Sequence, residues 1–81
     1  MAIYISKPSD INATLSKVAK TVKNGGGNFS GDEYSGRFNG GGVEGKYKVI
    51  NDRIEIIITK KPLFAPDSLV EKKIREYFRN E

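Results

Sequence analysis

Apolar and polar residues alternate with two different periods along the chain, and the change of period divides it into elements. Ile3, Tyr4 and Ile5 are β-branched or aromatic and end at Lys7-Pro8, which predicts a short first strand. Ile11, Leu15, Val18, Ala19 and Val22 then recur at steps of three and four, predicting an amphipathic helix over 10–23. Ser9 or Asp10 offers a side-chain oxygen to the first N–H groups. Asp10 at the start and Lys20 and Lys23 at the end suit the helix dipole, and Asn24-Gly25 stops it.

From Gly27 to Thr59 the period is two. Phe29 marks a short strand turning at Gly31-Asp32, and Tyr34, Gly36 and Phe38 share one face of the next strand. Gly40-Gly41-Gly42 makes a loose connection to a strand in which Val43, Gly45, Tyr47 and Val49 alternate with Glu44, Lys46 and Lys48. Asn51-Asp52 is a tight turn, since both residues tolerate positive φ. Arg53 to Thr59 follows, with Ile54, Ile56 and Ile58 on one face and Ile57 on the other. Glycines 36 and 45, on the inward faces of adjacent strands, mark a bend or a close approach by another element. They predict a curved sheet with a terminal helix across its concave side.

Pro66 suits the first position of that helix, and Ser68 with Glu71 offers a capping box as the alternative start. Leu69, Val70, Ile74, Tyr77 and Phe78 form its apolar stripe; Glu71–Arg75 and Lys72–Glu76 are opposite-charge pairs four apart. The order is β-α-β-β-β-β-α, and the fold class is α+β: one domain over 1–81, with a curved antiparallel sheet and helices on one face.

Composition narrows the chemistry. The 81 residues include no cysteine, so neither a disulfide framework nor a thiolate nucleophile is available, which fits a reducing cytoplasm. The absence of histidine removes the usual general base near neutral pH and the commonest metal ligand. The first residues have neither a basic nor an apolar leader pattern, and no apolar run approaches a bilayer span, so the expectation is a cytoplasmic protein without a membrane span. The triplets Asn12-Ala13-Thr14 and Asn28-Phe29-Ser30 are then no glycosylation sites. A net charge of +4 divides evenly between the two halves, so there is no basic arm or acidic tail.

Gly40 to Gly45 spells G-x-G-x-x-G, and Gly45-Lys46 extends it to a phosphate-loop pattern. Such loops work by presenting N–H groups at a helix N-terminus, whereas this segment runs into an alternating strand, and Tyr47 stands where a magnesium-binding Ser or Thr is needed. Asp32 and Glu33 are adjacent and point to opposite faces of a strand; Ser30, Ser35 and Ser68 have no histidine to activate them. Asp32, Glu33 and Asp52 do not supply calcium-loop spacing. The expectation is a non-catalytic module with no cofactor and no metal.

Two candidate surfaces remain. Tyr34, Phe38, Tyr47 and Tyr77, with Phe78, either line a pocket or pack between sheet and helix. Leu63 and Phe64, beside Pro62, are expected to tuck under the last helix; the alternative is an exposed apolar tip touching lipid, polymer or a partner. Among the basic residues, Lys17, Lys20 and Lys23 follow one side of the first helix, while Arg37, Lys46 and Lys48 project from the sheet face opposite the helices. With Ile57 they would make a mixed basic and apolar surface that lacks outward aromatics for base stacking.

The stretch from Tyr34 to Phe78 resembles the small bacterial polyhydroxyalkanoic acid system proteins. It shares an aromatic strand, Gly42-Val43-Glu44-Gly45-Lys46, Val49 with Ile54-Glu55-Ile56, a short loop and an amphipathic terminal helix. The element order also resembles the half-repeat of TATA-box-binding proteins and a reduced helix-grip fold. The resemblance implies that fold and association with polymer granules, and no activity. The leading expectation is a module that binds a hydrophobic ligand, polymer or protein partner; the alternative is nucleic-acid binding through the sheet face or the first helix. A sheet edge or the outer Ile57 face offers a route to a homodimer.

Overall fold

In the computed structural model, which describes residues 1–79, seven elements follow in the expected order. They are β1 (Ala2–Ser6), α1 (Ile11–Asn24), β2 (Asn28–Gly31), β3 (Ser35–Gly40), β4 (Val43–Ile50), β5 (Arg53–Lys60) and α2 (Asp67–Phe78).

α1 starts and stops on local chemistry. Asp10 accepts the Ala13 N–H through Oδ1 at 3.1 Å, satisfying one of the orphan donors at the helix start. At the other end Gly26, with φ at 86°, takes the left-handed position. Its N–H donates to Lys23 C=O and the Gly27 N–H to Val22 C=O, which closes a Schellman motif. The stop therefore lies at Gly25-Gly26, one residue beyond the Asn24-Gly25 pair, because Gly25 itself keeps a negative φ of −84°.

The five strands form one antiparallel sheet in the order β1-β5-β4-β3-β2. β2 to β5 are a meander, and β1 joins its far edge beside β5, so α1 crosses from one edge of the sheet to the other. Register sorts the faces. Ile3 pairs with Ile56, Ile56 with Tyr47 and Tyr47 with Gly36 on the side of the helices. Ala2, Ile57, Lys46, Arg37 and Ser30 make the corresponding row on the other side. The β3–β4 connection is tighter than the triple glycine suggests. Gly40 pairs with Val43, leaving only Gly41 and Gly42 in the turn, with φ of 61° and 84°. Two successive positive φ values suit a two-residue hairpin, because its twist then matches the strands. In the Asn51-Asp52 turn only Asn51 has positive φ, at 54°.

The helices lie on one face of the curved sheet. Ile11, Leu15, Val18 and Val22 of α1 and Val70, Ile74 and Phe78 of α2 share one core with Ile3, Phe38, Tyr47, Ile54, Ile56 and Ile58. Glycines 36 and 45 serve this core differently from the expectation. The space above each is filled by the ring of its cross-strand partner rather than by a helix. A Cβ on Gly36 would stand 2.5 Å from Tyr47 Cε1, and one on Gly45 would stand 2.7 Å from Phe38 Cζ. Aromatic rings laid over cross-strand glycines are a known way of pinning register and curvature. α2 then packs on those rings: Phe78 lies 5.8 Å from Tyr47 and 6.1 Å from Phe38, centroid to centroid.

Pro66 sits one position earlier than expected, at the N-cap, and among the described residues no side chain caps the helix start, Ser68 included. Arg75 holds α2 to the sheet edge: Nε donates to Glu71 at 2.9 Å and Nη1 to Tyr4 C=O at 3.2 Å. One backbone acceptor of the β1 edge is thereby occupied.

Candidate functional site

The core leaves an opening where the C-terminal end of α1, the β3–β4 hairpin and α2 come together. Val22 on α1, Phe38 on β3, Val43 at the start of β4, and Val70, Ile74 and Tyr77 on α2 line a cleft of roughly 380 Å³. The sequence places these elements apart at this point for a simple reason. Gly25, Gly40 and Gly41 lack side chains to fill the space between the helix end and the hairpin turn. Pro62 and Ala65 of the β5–α2 loop and Leu69 of α2 close one side. The lining is mostly apolar, and among the described residues Lys73 is its one charged side chain. A volume of this order, lined by aliphatic and aromatic groups, lies within the range of small-ligand sites.

The helix-free face of the sheet is a second candidate. Arg37, Asn39, Glu44, Lys46, Lys48 and Glu55 are among the side chains around a broad, shallow hollow of roughly 870 Å³. Arg37 and Lys46 are cross-strand neighbours, Lys46 pairs with Ile57, and Lys48 pairs with Glu55. Tyr4 donates to Glu55 Oε2 at 3.1 Å, and Arg53 lies over the Tyr4 ring at 5.2 Å. The face is thus mixed in charge as well as partly apolar.

The structure separates the six expected aromatic and apolar candidates. Phe38 and Tyr47 are core residues, 6% and 2% exposed. Tyr47 stacks on Phe29 at 5.9 Å, so its ring is enclosed, and its hydroxyl donates to Asp32 C=O at 2.6 Å. Burial and the charge of Asp32 push that phenol up to about 12. Tyr34, expected on the inward face of the third strand, instead occupies the β2–β3 turn and is 70% exposed. Asp32 sets that turn by accepting the Tyr34 and Ser35 N–H groups through Oδ1, at 2.9 and 3.0 Å. Leu63 and Phe64 do not tuck under α2: each is 95% exposed. A loop bounded by Pro62 and Pro66 carries both outward instead. Of the six, Phe38 and Tyr77 reach the cleft.

The basic candidates also fall into two sets. Lys17, Lys20 and Lys23 are exposed on α1, whereas Arg37, Lys46 and Lys48 are on the opposite side of the sheet, so the six do not form one patch. Lys17 Nζ is engaged with Arg79 C=O. Sequence patterning missed Thr21, Val43, Pro62, Leu69 and Lys73 as cleft residues. The available signal was the pair of glycine clusters, one after the first helix and one between the third and fourth strands, which removes side chains from one end of the core. Among the described residues no group of three acidic side chains is placed to hold a metal ion, and no helix is long and apolar enough to cross a membrane. Compared with family models, curated proteins and solved structures, the chain has no significant match.

Proposed function

We propose that this protein is a non-catalytic binding module that holds a small hydrophobic ligand in the cleft between α1, α2 and the β3–β4 hairpin. The observation that carries this reading is an apolar opening of roughly 380 Å³ into the core, with the cation Lys73 at its lining. Apolar walls gain about 25 cal/mol for each Å² removed from water when a ligand fills them. Lys73, which has no ion-pair partner among the described residues, suits a ligand with an acidic end. A polyhydroxyalkanoate surface is a larger partner of the same apolar chemistry, supported by the sequence resemblance. Nile red, an uncharged apolar dye, is expected to brighten on binding. Leu69→Glu, at a half-exposed site where a charge is tolerated in the fold, weakens that binding at least tenfold. Undiminished dye binding by that variant removes the cleft as the site.

A second reading places a polyanion, such as nucleic acid, on the outer sheet face. It is favoured by the side-by-side pair Arg37 and Lys46 with Lys48 on the next row. It predicts retention on heparin that falls steeply with salt. No retention at low salt excludes it.

A further inference from the structure

The β5–α2 loop carries the two most exposed large apolar side chains described in the molecule, and they are adjacent. Leu63 and Phe64 are each 95% exposed, whereas the other exposed large apolar residues lie between 37% and 70%. The loop is held open by its own chemistry. Pro62 and Pro66 fix φ on either side, the Ala65 N–H donates to Pro62 C=O at 3.2 Å, and Lys61 pairs with Asp67 at the start of α2. Folding leaves these two side chains in water although Pro62 and Ala65, on either side of them, line the cleft.

The charges around the tip are mainly positive. Lys60 and Lys61 precede it, and Lys73 stands on the cleft wall that Pro62 and Ala65 complete. Asp67, the first residue of α2, is the carboxylate next to the loop and is engaged with Lys61. Glu44 faces Lys60 in the β4–β5 ladder, but its side chain lines the outer hollow. A leucine and a phenylalanine projecting together beyond a set of ammonium groups match the layering of an anionic lipid surface. The rings and methyls enter the acyl boundary while the lysines meet the phosphates.

We propose that the Leu63–Phe64 tip, with Lys60, Lys61 and Lys73 behind it, docks the protein reversibly on anionic phospholipid surfaces. This goes beyond ligand binding in the cleft and does not depend on it. The two features share one end of the molecule, so docking brings the cleft mouth to the membrane. A single short tip gives weak binding, and each lysine close to the anionic surface adds about fivefold.

Co-sedimentation of the full chain with vesicles tests this. Phosphatidylcholine vesicles containing about a third phosphatidylglycerol are expected to take the protein down, and pure phosphatidylcholine vesicles to leave it in solution. Leu63→Ser/Phe64→Ser changes only exposed positions, so its thermal midpoint is expected to match the parent while vesicle binding falls at least tenfold. Lys60→Gln is expected to weaken binding about fivefold. Leu69→Gln, which makes the cleft wall polar without adding a charge, is expected to weaken Nile red binding and retain vesicle binding, so loss of the cleft site and loss of the docking surface are told apart. Three results overturn the proposal: no sedimentation with anionic vesicles, equal sedimentation with both vesicle types, or full binding by the double variant. A parent dimer that the double variant disperses, without vesicle binding, would assign the tip to a second copy instead.

Discussion

Tyr47 concentrates several of the forces that shape this molecule. Its ring covers Gly36, stacks on Phe29 and meets Phe78, while its hydroxyl reaches the backbone of the β2–β3 turn. The phenol is raised from 10.0 to about 12, first by burial and then by the Asp32 charge. A group whose folded pKa is raised contributes stability that is complete below its unfolded value and is lost as pH rises toward the folded one. The urea midpoint is therefore expected to fall between about pH 10 and 12. Tyr47→Phe removes that contribution to the decline and, by losing the hydroxyl bond, costs about 1 kcal/mol near neutrality. Asp32 works in the opposite sense. The Tyr34 and Ser35 N–H groups hold its carboxyl below the usual range, so its contribution is lost only as pH falls through that lowered value. Alternation alone put Tyr47 on the inward face correctly and Tyr34 beside it wrongly. Periodicity carries no information on where a strand starts when an Asx turn consumes its first residue.

Elements were more legible than residues. The apolar stripe of α1, the isoleucines of β5 and the tight Asn51 turn follow from spacing and φ preference, and so did the whole order of the fold. The triple glycine did not reveal a two-residue hairpin, since three flexible residues fit a loose loop as well as a tight turn. Glycines 36 and 45 were recognisable as sites of close approach, yet the approaching group was hidden. Which ring lies over which glycine depends on register, and register comes from pairing. Gly36→Ala places a methyl within 2.7 Å of Ser30 C=O and 2.5 Å of the Tyr47 ring. Gly45→Ala meets Phe38, Ile57 C=O and Ile58. Each is expected to cost about 1–3 kcal/mol by overpacking. Gly40→Ala, whose nearest neighbour would be 3.4 Å away, is expected to lie within about 0.5 kcal/mol of the parent. Urea denaturation of the three variants checks the order, and an equal loss at all three contradicts it.

At the scale of the molecule, the sheet offers one face to two helices and leaves the other open, while the helices leave one corner of the core uncovered. That corner was not legible in the sequence. Val22, Val43 and Ile74 read as ordinary core positions, and only the meeting of a helix end, a glycine hairpin and a proline-bounded loop makes them walls of a cleft. Leu63 and Phe64 were misplaced for a related reason. Size and hydrophobicity favour burial, but Pro62 and Pro66 fix a loop that carries both away from α2. The account rests on the cleft as the binding site, and amide-resolved NMR during titration with decanoate, an apolar chain with an acidic end, tests this most directly. The predicted result is saturable shifts confined to Val22, Phe38, Val43, Val70, Lys73 and Tyr77, with Lys46, Lys48 and Ile57 unmoved. Shifts on the outer sheet face, or none at all, would contradict it.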